Sequence, residues 1–82
     1  MELRQLETLI AVAAEGSFTG AAIELSTAQS NVSDQIKQLE SELGVQLFTR
    51  GRRGAQTTEF GEVVLDRARR IGREIESMRS DI

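Results

Sequence analysis

Apolar residues recur along this chain at helical spacing almost from the start. Leu3, Leu6, Leu9, Ile10 and Ala13 step by three and four, which predicts a helix over residues 3–15. Gly16 is a natural stop, because glycine accepts the left-handed turn that follows many helix ends. Ser17 is placed to cap a second helix, roughly 18–25, with Phe18, Ala21, Ala22 and Leu25 inward. Its two adjacent alanines permit close approach by another helix. After the polar break "LSTA" a third helix runs from about 28 to 43, with Val32, Ile36, Leu39 and Leu43 on one stripe and Gly44 at its end. Its cap is ambiguous: Thr27 is the better chemical candidate, whereas Ala28 has no capping side chain.

The pattern then changes. Gln46 to Arg50 reads as a short strand, Gly51-Arg52-Arg53-Gly54 as a turn, and Ala55 to Thr58 as the return strand. The alternation is imperfect, since Leu47 and Phe48 are neighbours. Thr58 offers an N-cap, and Glu59 and Glu62 suit the positive end of a helix running to residue 82. Within it Phe60, Val64, Arg67/Ala68, Ile71, Ile75, Met78 and Ile82 repeat at steps of four and three. That is close to a coiled-coil seam. Two helices joined by a short turn, then a basic hairpin, define a mainly α winged helix-turn-helix over 1–58, followed by a long dimerisation or linker helix over 59–82.

Composition narrows the function. The 82 residues fit one domain and contain no Cys, His, Tyr or Trp. The commonest metal ligand and general base are therefore missing, and nothing sets the remaining Ser and carboxylates in a catalytic arrangement. No enzyme, metal site or cofactor is expected. No apolar run is long enough for a membrane span, and charges near the N-terminus do not fit a signal peptide, so the expectation is a cytoplasmic protein. The net charge of −3 argues against a uniformly basic nucleic-acid binder. Yet the charge is uneven: residues 44–58 carry Arg50, Arg52 and Arg53 with no acid.

Three features are candidates for function, each with a plainer reading. Thr27, Gln29, Ser30, Asn31, Ser33, Asp34 and Lys37 crowd the start of the third helix. As the second helix of a helix-turn-helix, it would face the DNA major groove. There Gln and Asn can pair with adenine, Ser with either partner, and Asp34 with a cytosine amino group. Asp34 could equally pair with a nearby Arg or Lys37. The plainer reading is a solvated helix face. Arg50, Arg52 and Arg53 suit phosphate or minor-groove contact, or simply make a charged loop. The terminal stripe (Phe60, Val64, Ala68, Ile71, Ile75, Met78, Ile82) belongs to a helix about 36 Å long. The preceding body cannot cover it all, so it wants a twofold partner unless it folds back as core. Phe18, Phe48 and Phe60 read as core rather than base-stacking residues, none being paired with another aromatic.

The order of "GSFTGAA", "AQSNVSDQIKQLESELGVQLFTR", a basic turn, "TTEFG" and a long helix strongly resembles the N-terminal domain of LysR-type transcriptional regulators. The resemblance covers essentially the whole chain and is most specific in "QLESELGVQLF". It implies a bacterial regulator that binds interrupted inverted repeats in double-stranded DNA as a homodimer or tetramer. It also implies pairing of the last helix with its mate, and a small-molecule effector bound only through a C-terminal domain missing from this sequence. By resemblance Gln29, Ser30, Asn31, Ser33 and Asp34 meet DNA, and Arg52 and Arg53 match the wing. The family often has Pro where Ser30 stands and a basic residue where Asp34 stands, so no base preference carries over. The competing expectation is a winged-helix protein-interaction module, dimerising through 59–82 without binding DNA.

Overall fold

The computed structural model describes all residues from 1 to 82. The order is α1 (Leu3–Glu15), α2 (Phe18–Glu24), α3 (Gln29–Leu43), β1 (Phe48–Gly51), β2 (Gly54–Thr57) and α4 (Glu59–Asp81). Helices α1, α2 and α3 pack on one another, and the first half of α4 closes the body against α1. The core is built on Leu9, Val12, Ala21, Val32, Ile36, Leu39 and Leu47, with Leu65 and Ala68 from α4.

Each helix begins and ends for a local reason. Gly16 and Gly44 terminate α1 and α3 in left-handed conformation, at φ 67° and 73°. The Ser17 hydroxyl accepts from Gly20 N at 2.7 Å, and Thr58 Oγ1 accepts from Gly61 N at 3.0 Å. Helix α2 ends differently. Thr27 N donates to Ala22 O at 2.9 Å and Ser26 N to Ile23 O at 3.1 Å. This paired motif places Ser26 at the position that glycine usually fills, and its φ is 54°. The turn between α2 and α3 is therefore fixed by backbone hydrogen bonds. Ala28 takes the N-cap position of α3 without a side-chain bond. Thr27 instead accepts from Asn31 Nδ2 at 2.8 Å, so the chemically better capping residue serves another role.

Several apolar positions lie elsewhere than the periodicity suggests. Leu3, Leu25, Leu43 and Phe60 are exposed, whereas Gln5, Thr8, Val12 and Leu65 are buried. Gln5 enters the core because its amide donates to Gln38 Oε1 on α3 at 3.2 Å. Thr8 enters because its hydroxyl donates to Arg4 O at 2.9 Å. Both polar groups are thus satisfied where they are buried.

The hairpin is antiparallel, pairing Phe48 with Thr57, Thr49 with Gln56, Arg50 with Ala55 and Gly51 with Gly54. It starts at Phe48 rather than Gln46, because the Leu47 backbone is committed to other partners. Leu47 N donates to Glu40 Oε2 at 2.7 Å, and Leu47 O accepts from Thr58 N at 2.9 Å. The far strand docks on the α1–α2 turn, where Ala55 N donates to Gly16 O at 2.9 Å.

Gly61 lets α4 approach this junction. A Cβ there would lie 2.1 Å from the Leu47 carbonyl oxygen. Gly61→Ala should therefore lower unfolding free energy by about 1–3 kcal/mol in urea titration, the usual cost of overpacking. An unchanged midpoint would show that α4 does not need this close approach.

Candidate nucleic-acid interface

The outer face of α3 opposes its buried stripe of Val32, Ile36 and Leu39. Gln29, Ser30, Asn31, Asp34 and Lys37 are exposed there, and Ser33 is half-buried beside them. Short side chains keep this face shallow, so the helix backbone can come close to whatever it meets. Asn31 gives one amide hydrogen to Thr27, which leaves its carbonyl oxygen free to accept. Asp34 pairs with neither Lys37 nor any arginine, so the ion-pair alternative finds no support. Its carboxylate is open to solvent.

The hairpin flanks this face. Arg52 and Arg53 form its two-residue tip between Gly51 and Gly54, and both are exposed. Arg50, further down β1, is also exposed but is engaged by the body. Its guanidinium stacks on the Phe18 ring, 3.6 Å from the centroid. Its Nη2 donates to Ser33 Oγ at 3.4 Å. Phe18 and Phe48 do form an aromatic pair, edge to face at 5.9 Å, contrary to the expectation that no aromatic has an aromatic neighbour. Lys37, Arg50, Arg52 and Arg53 are all free of salt bridges. The acid-free segment of the sequence is thus brought beside the polar half of α3.

Two contributors escaped the sequence reading. Arg4 of α1 lines a crevice with Thr27, Asn31 and Gln35. It is the sole cation before Lys37, a weak signal that sequence alone did not connect with α3. Glu40 sits on α3 yet accepts from the Leu47 and Phe48 amides at 2.7 and 3.5 Å. Its carboxylate thereby roots the hairpin to the helix. No group of three or more acidic residues is arranged to hold a metal ion.

The long helix presents a second surface. Phe60, Ile71 and Met78 are 54%, 41% and 60% exposed, and Ile82 is fully exposed. Val64 and Ile75 are half-buried beside them. Ala68 departs from the expected seam, being buried against the chain's own body. A shallow groove between α1 and α4 brings Leu3 and Ile10 next to Ile71 and Ile75. Alone, no helix is long and apolar enough to cross a membrane.

This arrangement defines a winged helix-turn-helix domain with an apolar-striped C-terminal helix. Residues 3–62 match the family described as bacterial regulatory helix-turn-helix protein, lysR family. The chain belongs to that family and has the architecture of its DNA-binding domains. It is 49% identical over 71 residues to the probable HTH-type transcriptional regulator LrrA of Synechococcus elongatus, covering 87% of this chain and 24% of that protein. It is 41% identical over 78 residues to the regulator CzcR of Bacillus subtilis, covering 95% of this chain and 27% of that protein. The chain therefore spans about a quarter of the length of these relatives. Among solved structures, a complex of the BenM DBD with catB site 1 DNA superposes with TM-score 0.93 at 44% identity, covering 98% of this chain and 90% of that one. A LysR family transcriptional regulator, CbnR, gives 0.87 at 40% identity, covering 98% of this chain and 29% of that one.

Removing the Glu40 acceptor leaves the Leu47 amide without its partner. Glu40→Ala should lower stability by about 1.5–3 kcal/mol, the range for hydrogen bonds to charged groups. Glu40→Gln, which keeps an acceptor, should lose less. Urea denaturation of both variants checks this, and equal losses would point to packing instead.

Proposed function

We propose that this chain binds double-stranded DNA sequence-specifically as a homodimer, with α3 in the major groove and the β1–β2 tip on the flanking backbone or minor groove. The observation that carries the reading is that the hairpin meets the polar half of α3 at Arg50 and Ser33, while the exposed Arg52 and Arg53 at its tip have no acidic partner. Phosphate contacts supply affinity and base-edge contacts supply choice. Arg52, Arg53, Lys37 and Arg4 suit the first role. Gln29, Ser30, Asn31 and Ser33 suit the second, with Thr27 orienting Asn31. Asp34 adds a pure acceptor, whose natural partner in the groove is the cytosine amino group. That the BenM DBD, a structural neighbour, was solved in complex with DNA supports DNA binding by this fold.

Residues 1–58 would do the reading and residues 59–82 the pairing, although Leu65 and Ala68 also close the core. Phe60, Val64, Ile71, Ile75, Met78 and Ile82 form the pairing surface, widened by the α1–α4 groove. A twofold dimer of this kind calls for two half-sites in inverted orientation, separated by an interruption. The same reading makes the protein a cytoplasmic transcription regulator rather than an enzyme, which its regulator relatives support.

Anisotropy titrations across a salt series test the roles. Arg52→Ala/Arg53→Ala should weaken all duplexes alike and flatten the log K against log salt slope by about 2, near 0.9 per lost phosphate contact. Gln29→Ala or Asn31→Ala should instead alter sequence preference, at about 1–3 kcal/mol per affected base pair. A folded dimer that binds no duplex at low salt would favour a protein-interaction module.

The pairing surface is tested separately. Ile71→Glu/Met78→Glu should convert the dimer to a folded monomer in sedimentation equilibrium. A dimer that persists would place the interface elsewhere.

A further inference from the structure

Arg50 is the one cation beside the reading face that the fold already engages. Three elements meet at its guanidinium. Phe18, from the first turn of α2, lies beneath it at 3.6 Å, and Ser33 of α3 accepts its Nη2 hydrogen at 3.4 Å. Arg50 itself belongs to β1, paired with Ala55 on β2. The Phe18 ring is in turn held by Phe48 at 5.9 Å and by burial of both rings. Arg50 has no acidic partner.

Building on the DNA-reading function above, we propose that Arg50 is a positioning residue, not a phosphate contact: it fixes the wing against α3 and sets the Ser33 hydroxyl as a hydrogen-bond donor. A planar guanidinium can lie flat on a ring and still donate in its own plane. An ammonium group offers a point charge without that plane. The Ser33 hydroxyl has one proton and two lone pairs. Accepting from Arg50 turns its proton away from the arginine and leaves it for another acceptor. Ser33 then meets DNA as a donor, matched to an acceptor such as guanine O6 or N7, or thymine O4. Ser33 is thereby tied to the wing, while Asn31 is set independently by Thr27.

The test compares Arg50→Lys, Arg50→Ala and Phe18→Leu, singly and with Phe18→Leu combined with Arg50→Ala. Two readouts are used. The first needs no DNA: amide hydrogen exchange of the hairpin in the free domain. Arg50→Lys and Arg50→Ala should both speed exchange at Ala55, whose N–H docks the hairpin on Gly16 O, leaving core α1 amides protected. The second is affinity and base preference on a duplex selected by the wild type. Both Arg50 variants should lose about tenfold in affinity, the scale of one well-made contact. Preference should relax at the base pair that Ser33→Ala also relaxes, and not at those governed by Gln29 or Asn31. The combined variant should lose no more than Arg50→Ala alone. Wild-type affinity in Arg50→Lys, or additive losses in the combined variant, would overturn the proposal in favour of direct phosphate contact. Unchanged hairpin exchange in both Arg50 variants would also overturn it. If the wild type selects no duplex, the DNA-reading function fails, while the exchange data still decide whether Arg50 holds the wing.

Discussion

The backbone of Leu47 is the constraint on which the rest of this domain depends. Its N–H is taken by the Glu40 carboxylate, its carbonyl by the Thr58 amide, and Gly61 packs directly against that carbonyl. Its side chain is completely buried. One residue thereby joins α3, the root of the hairpin and the start of the long helix. Thr58 reinforces the junction by donating its hydroxyl to Gln46 O at 2.6 Å while capping α4. Because these are directional contacts on backbone atoms, they fix where the hairpin leaves the body, and hence where its arginines stand relative to α3.

The charge of the molecule follows from the same placement. A net −3 is a poor guide to partners, because the hairpin tip carries Arg52 and Arg53 with neither paired to an acid. Asp66 with Arg70 and Glu76 with Arg79 pair along α4, and Glu42 pairs with the N-terminal amine. The wing arginines have no such partners. Over a screening length of about 10 Å the local field matters more than the total. A polyanion docking on α3 would lie beside the wing, with Asp34 as the one exposed acid on that stretch of helix.

Much of this was legible in the sequence. The four helices, the stops at Gly16 and Gly44, the caps at Ser17 and Thr58, and the arginine tip all follow from spacing and local chemistry. What was not legible depends on contacts between distant segments. Leu3, Leu25, Leu43 and Phe60 fit a helical period yet lie exposed at helix ends. Gln5 looked polar and outward, but Gln38 supplies its partner across α3. Leu65 was hidden because its face and the Phe60–Ile71–Met78 stripe are adjacent on one helix, and periodicity alone favoured the longer run. The Phe18–Phe48 pair joins residues thirty positions apart and is invisible to any local pattern. Arg50 shows the limit most clearly: three arginines in one short segment read alike, and only the fold separates the one resting on a ring from the two at the tip.

If this face reads duplex sequence in a twofold arrangement, its preferred sites carry the same symmetry. Selection from a random duplex pool by the wild-type protein measures that directly. A twofold reader should enrich two related half-sites in inverted orientation at a fixed separation. Enrichment of nothing by a folded dimer, or of single sites with no symmetric mate, would contradict it.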